Sequence, residues 1–422
     1  LDTASPEQLQ QTATELETQY QQLKQQGLSL DITRGKPCTE QVALADALDG
    51  ILAGDFCDSS GTDVRNYGGL TGIPEAHVLF ASILGSHPAN TMIGGNSSLT
   101  LMYQVLDFAY NYGFSGTPWR DTEAVKFLCP VPGYDRHFTA CEHLGIELLP
   151  VAMTGHGPDM DAVEAAVQAD PAIKGIWCVP RFSNPSGETY NADTVDRLAK
   201  LGTIAGPDFL VMWDNAYAVH TLSEDASELP NINPYCETHD SASSVVQFGS
   251  TSKISFAGAG VAFLASSADN IAAFSAHLAF SSIGPDKVNQ LRHVRFLKDL
   301  NGVKAHMSKH AALMKPRFDS VQQHLRQGLG DGDMGSWTDP EGGYFVSFDS
   351  RPGLAQSIVQ LAGELGVKLT PAGATWPYGK DPQDCNIRIA PTFASLEDVG
   401  AAMQAFVVCV KLASVRQVLA AA

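Results

Sequence analysis

The chain has 422 residues, 44% hydrophobic and 17% charged, and its 46 acidic and 27 basic side chains leave a formal net charge of −19. That length points to two domains rather than one small core, and so negative a surface argues against nucleic acid or anionic membrane as a partner. Eight cysteines without a C-x-x-C, a polar start and no apolar run of membrane-span length argue against a zinc ribbon, a redox pair, a signal peptide or a membrane anchor, and point to a reduced cytoplasmic protein with no metal.

Ser5-Pro6-Glu7-Gln8 reads as a helix start, with a hydroxyl cap, proline at the first position and glutamine at the third. Leu9, Ala13, Leu16, Tyr20 and Leu23 then recur at helical spacing until Gly27. Residues 30–37 are irregular and carry Arg34 and Lys36, which makes them either a linker or a basic strap over an anionic substrate. A glycine-rich loop, Asn66-Tyr67-Gly68-Gly69, precedes a helix opened by Pro74. Gly94-Gly95-Asn96-Ser97-Ser98 opens another helix over 99–112. Small residues there let backbone N–H groups approach an anion, although the same residues cap many ordinary helices.

Between about 124 and 266, apolar runs at 125–129, 146–151, 173–179, 209–213, 244–248 and 261–265 alternate with helix-like runs at 136–144, 159–169 and 192–201. This alternation predicts an α/β layered domain with a mainly parallel sheet. Ligands on such sheets sit beyond the carboxyl ends of the strands. There the chain places Pro132-Gly133-Tyr134, Asn184-Pro185-Ser186-Gly187, Asp214-Asn215-Ala216-Tyr217 and Lys253. A helical region over 285–327, short strands at 343–348, 367–370 and 386–389, and helices at 354–365 and 396–421 predict a smaller α+β unit that the first helix packs against.

The chemistry is expected in residues 247–264, QFGSTSKISFAGAGVAFL. A buried strand runs into three small hydroxyl residues, then Lys253 and a small-residue turn. A partly desolvated lysine has a lowered pKa and becomes a nucleophile toward carbonyls, whereas the plain alternative is a surface lysine in a turn.

Asn184-Pro185-x-Gly187, Asp214-x-x-Tyr217, Ser250-x-Ser252-Lys253 and Arg388, in this order and spacing, resemble the fold-type I, class I aminotransferases. Arg34-Gly35-Lys36-Pro37, residues 65–69 and residues 283–290 resemble the type Ic aspartate aminotransferases and MocR-like aminotransferases within that class. The resemblance implies a large domain over residues 50–305, with a mainly parallel seven-stranded sheet between helices, and a small α+β domain from 1–49 and 306–422. It also implies pyridoxal 5'-phosphate as cofactor and a homodimer with the active site at the subunit interface. The implied reaction moves the amino group of an L-amino acid to a 2-oxo acid, with L-aspartate and 2-oxoglutarate favoured.

In that resemblance Lys253 holds the cofactor as a Schiff base and shuttles the proton, and Asp214 faces the pyridine nitrogen. Asn184 and Tyr217 bond its phenolic oxygen, and Tyr134 stacks on its ring. Gly95, Asn96, Ser97, Ser250 and Ser252 surround its phosphate, joined by Tyr67 of the neighbouring subunit. Arg388 binds the substrate α-carboxylate, which suits a planar guanidinium in an apolar strand, unless an internal salt bridge occupies it. A distal carboxylate would need Arg34, Lys36, Lys287 or Arg292, with Arg34 and Asn184 also counted toward the substrate. One position departs from the family, because Val261 stands where a phosphate-binding arginine is usual. The competing readings are a β-lyase or decarboxylase on the same scaffold, or a non-enzymatic effector-binding domain.

Overall fold

The computed structural model describes residues 5–206, 208–330 and 333–421. In chain order the first half comprises α1 (Pro6–Gln25), β1 (Leu30–Asp31), α2 (Thr39–Ala43), α3 (Pro74–Leu84), β2 (Thr91–Ile93), α4 (Ser98–Asn111), β3 (Lys126–Val131), α5 (Asp135–His143), β4 (Glu147–Ala152), α6 (Met160–Ala169), β5 (Ile173–Cys178), α7 (Ala192–Ala205) and β6 (Leu210–Asp214). The second half comprises α8 (Ile232–His239), β7 (Val245–Ser250), β8 (Ala262–Ala265), α9 (Ala268–Leu278), α10 (Lys287–Leu297), α11 (Leu300–Leu329), β9 (Gly335–Trp337), β10 (Val346–Ser350), α12 (Ala355–Glu364), β11 (Val367–Lys368), β12 (Asn386–Ile389) and α13 (Leu396–Ala421).

Seven strands form the central sheet in the order β2-β8-β7-β6-β5-β3-β4. β3 to β7 run parallel, and β8 alone runs against its neighbours β7 and β2. Successive strand residues alternate between two buried faces, as the pleat requires. Phe127, Trp177, Met212 and Phe248 pack with α4 and α9 residues on one face, while Leu128, Ile176, Val211 and Val245 pack with α6 and α7 residues on the other. Strand order reverses between β3 and β5, which is the kind of crevice where open α/β sheets take their ligands. The carboxyl ends of both strands lead into loops that carry Tyr134 and Asn184.

A second core joins the two ends of the chain. Leu16, Tyr20 and Leu23 of α1 pack with Phe318 and Val321 of α11 and with Phe406 and Val410 of α13. The capping box expected at the start of α1 is present: Ser5 Oγ accepts from the Gln8 N–H, and Gln8 returns a bond to the Ser5 N–H. Residues 30–37 are less irregular than their sequence suggests, because Leu30 and Asp31 pair in parallel with Val367 and Lys368. The expectation that no apolar run reaches membrane-span length is corrected by α13, whose best 18-residue window has a mean hydropathy of 1.5. Its apolar surface is spent inside the protein, since 72% of that window is buried.

Candidate functional site

A cavity of about 220 Å³ opens where β5, β6 and β7 end and α4 begins. Tyr134, Asn184, Asp214, Tyr217 and Lys253 line it, with Ser97, Ser250 and Ser252 on one side. Gly35 and Phe345 close it from the unit built by the chain ends. A Cβ at Gly35 would lie 2.0 Å from the Phe345 ring, so this position has to lack a side chain for the strap to reach the cavity.

Lys253 sits in the turn between β7 and β8. Thr251 ties that turn shut, since its N–H donates to Val261 O at 2.8 Å and its Oγ1 accepts from the Val261 N–H at 2.8 Å. The Lys253 ammonium lies 5.0 Å from the centre of the Tyr217 ring and 5.7 Å from that of Tyr344. Burial pushes its pKa down, and the Asp214 carboxylate opposes that shift.

Asp214 ends β6 and is buried. Its Oδ2 lies 2.9 Å from His137 Nε2, and its buried Oδ1 has no hydrogen-bond partner among the described residues. His137 comes from α5, is itself buried, and stacks on Trp177 with centroids 4.0 Å apart at 5°. The sequence reading missed His137. The available signal was a polar residue in register with Phe138 and Cys141 on the buried stripe of α5.

Tyr134 also lines the cavity, and burial followed by the Asp214 charge pushes its phenol up to about 12. Burial raises the Tyr217 phenol well above its ordinary value. Arg388, on β12, points Nη1 at Asn184 Oδ1 (3.2 Å) and at Asp135 Oδ1 (3.3 Å), with its guanidinium 4.9 Å from the Phe345 ring centre. Its Nε is buried without a partner among the described residues.

The 94–97 loop is stitched to the β7–β8 hairpin. Ala262 N–H donates to Gly95 O at 2.7 Å, Asn96 Nδ2 donates to Gly258 O at 3.2 Å, and Ser252 Oγ donates to Asn96 O at 3.2 Å. Ser97 caps α4 without a side-chain cap bond, and Ser97, Ser98 and Leu99 of this helix start line the cavity. Gly95 and Asn96 are exposed beside the cavity rather than lining it. The Val261 side chain is buried in an apolar cluster with Ile254 and Phe263. Lys253 is the one lysine or arginine lining the cavity among the described residues.

Other expected cations and Tyr67 lie elsewhere. Tyr67 is 86% exposed and outside the cavity of its own chain. Lys287 uses its ammonium to hold that loop, donating to Asn66 O at 2.8 Å and Gly68 O at 2.5 Å. Arg34 lies outside the lining, 3.6 Å from Asp31, and Lys36 sits 3.9 Å over the Phe393 ring. Arg292 is exposed on α10.

Beneath Lys253, histidines grip the turn from behind. His220 Nε2 lies 3.2 Å from Lys253 O, while His306 and His310 place Nε2 2.7 and 3.0 Å from Ile254 O. Burial lowers all three, His310 to about 4 and His220 to about 3, so they bind as neutral imidazoles near neutral pH.

Comparison with known proteins adds the chemistry this geometry serves elsewhere. The family described as aspartate amino-transferase matches residues 4–421. A putative aminotransferase of Mycolicibacterium smegmatis is 48% identical over 405 residues, covering 95% of this chain and 94% of that protein. The crystal structure of an aspartate transaminase from Corynebacterium glutamicum superposes with a TM-score of 0.95 at 42% identity, covering 99% of each chain. The α-aminoadipate aminotransferase of Thermus thermophilus, complexed with N-(5'-phosphopyridoxyl)-L-leucine, shares the fold at a TM-score of 0.74 and 20% identity, over 93% of this chain and 94% of its own.

Proposed function

Because this chain belongs to the aspartate aminotransferase family, we propose that the cavity around Lys253 is where it carries out transamination. The enzyme moves an amino group from an amino acid to a 2-oxo acid and depends on pyridoxal 5'-phosphate. When bound, that cofactor supplies an aldehyde for the amino group and a ring that takes up the electrons freed at Cα.

The residues present fit the cofactor, and one observation carries the assignment. Among the described residues, the buried Asp214 Oδ1 lacks a partner, in the same cavity whose lining holds one lysine. A buried carboxylate oxygen left unpaired is costly unless a cationic N–H meets it, and the protonated ring nitrogen is such a donor. His137 takes the other oxygen and thereby fixes the direction of the carboxylate. Lys253, its pKa lowered by burial, would anchor the cofactor covalently and would be the base that moves the Cα proton. Asn184 and Tyr217 would bond the phenolic oxygen, and Tyr134 would pack on the ring face. Ser97, Ser250 and Ser252, with the amides near Gly95 and Asn96 and Tyr67 from a second copy, would hold the phosphate. With no arginine at position 261, this phosphate site relies on hydroxyls and the α4 N-terminus.

Arg388 is assigned to the substrate α-carboxylate, since its Nε, unpaired among the described residues, leaves part of the fork free. L-Aspartate and 2-oxoglutarate are the proposed pair, with Arg34 or Lys36 of the strap as the cation for a distal carboxylate. Lys287 is committed to loop carbonyls instead. The proposed setting is a cytoplasmic homodimer built from a large domain (50–305) and a small one (1–49 with 306–422).

Borohydride reduction of the cofactor-loaded protein followed by peptide mapping tests the assignment. Label on Lys253 supports it, and label on another lysine rejects it. A panel of amino donors with 2-oxoglutarate then tests the substrate pair, and aspartate ranking low would reject that part alone.

A further inference from the structure

The guanidinium assigned to the substrate carboxylate already faces a carboxylate of its own chain. Arg388 Nη1 lies 3.3 Å from Asp135 Oδ1, and the arginine side chain is 10% exposed while that of Asp135 is 35% exposed. Asp135 is the first residue of α5, directly after Tyr134 of the cavity lining. A nearly buried arginine needs an anion, and Asp135 is the only acidic side chain within ion-pair distance of Arg388 among the described residues.

We propose that Asp135 is a built-in counter-ion that competes with the incoming carboxylate for Arg388 and so sets how tightly amino and oxo acids bind. This rests on the reading of Arg388 as the carboxylate ligand.

Three features carry the inference. The contact is single and, at 3.3 Å, long for a charge-assisted bond, so it is weaker than the two parallel bonds a free carboxylate can make to the guanidinium fork. Arg388 Nε has no partner among the described residues, so Asp135 leaves part of the fork unused. Asp135 is also the more exposed partner, so it can turn toward water at small cost when a substrate arrives. The free enzyme therefore keeps its arginine neutralised, and the substrate wins by geometry against a carboxylate that stays nearby. Two like charges sharing one cation weaken the binding of either.

The holoenzyme and its Asp135→Asn variant test this through KM for the amino and oxo acids, kcat, and the dissociation constant of maleate, an unreactive dicarboxylate, by calorimetry. Asparagine keeps the shape and the place at the helix start but removes the charge. KM and the maleate constant should both fall by about threefold to tenfold, with kcat moving less than KM. Placed on an Arg388→Ala background, the same substitution should change maleate binding little, because the cation competed for is gone. Unchanged or weaker carboxylate binding in Asp135→Asn overturns the counter-ion role. An equal gain with and without Arg388 overturns it too, since the effect would then be general charge. If Arg388→Ala alone leaves KM and maleate binding intact, the reading of Arg388 itself falls, and the inference falls with it. Thermal unfolding of each variant separates these outcomes from loss of fold.

Discussion

The two oxygens of Asp214 have different fates, and that difference is a residue-level prediction. Oδ2 is spent on His137, and Oδ1 has no partner among the described residues. His137→Phe would keep an aromatic ring on Trp177 but remove the donor, leaving a carboxylate free to turn. A hydrogen bond to a charged group is worth about 1.5–3 kcal/mol. At about 1.4 kcal/mol per factor of ten, kcat should drop by about ten- to hundredfold with the fold intact. Asp214→Ala should cost more, because no acceptor then faces the ring nitrogen. Steady-state kinetics on both variants checks this order, and a His137→Phe enzyme as fast as wild type would show that Asp214 needs no support. Asp214, Asn184 and Lys253 were legible because each stands in a motif at the end of an apolar run. His137 and Asp135 were not. Their partners, Asp214 and Arg388, lie far away in sequence, and nothing in the local pattern of α5 says which neighbour they meet.

At the scale of elements, long and strongly patterned segments read well. β12 and α13 were expected at their observed bounds, and each of the six apolar runs between 125 and 265 became a strand. β2 and β9 escaped because three residues carry no periodicity, although β2 completes the sheet by pairing with β8. α11 holds the turn of Lys253 through His306 and His310, a long-range link that no spacing rule reveals. It has a pH consequence. His310 stays neutral in the fold until about pH 4, while the unfolded chain takes up a proton near the ordinary value of 6.5. The unfolded state therefore binds more protons as pH falls from about 6.5 to 4, and stability declines across that window. His220, lowered to about 3, extends the same loss further. Denaturant midpoints for wild type and His310→Gln, measured from pH 7 to pH 4, should show a shallower fall in the variant. Parallel profiles would mean that the buried imidazole does not contribute to acid sensitivity.

At the scale of the whole molecule, the side of the cavity proposed for the phosphate is lined by serines and, among the described residues, by no lysine or arginine besides Lys253. Tyr67 stands 86% exposed on a loop pinned by Lys287, and Phe280 and Ile283 are 94% and 62% exposed. Large exposed apolar side chains beside a loop whose backbone Lys287 pins suit a face covered by a second copy. Tyr67 was expected at the phosphate through family resemblance alone, and in its own chain it lies outside the cavity lining. If each cavity borrows its tyrosine from the partner, two defective variants can repair one another. Lys253→Ala lacks the anchor but offers an intact Tyr67, while Tyr67→Ala keeps its lysine and lacks the donor. After unfolding and refolding an equal mixture, half of the dimers should be hybrids, each with one intact site. Activity should rise to about a quarter of wild type per subunit, above the sum of the separately refolded variants. A mixture no more active than that sum, with Tyr67→Ala clearly impaired and hybrids detected by mass, would mean that each chain supplies its own Tyr67.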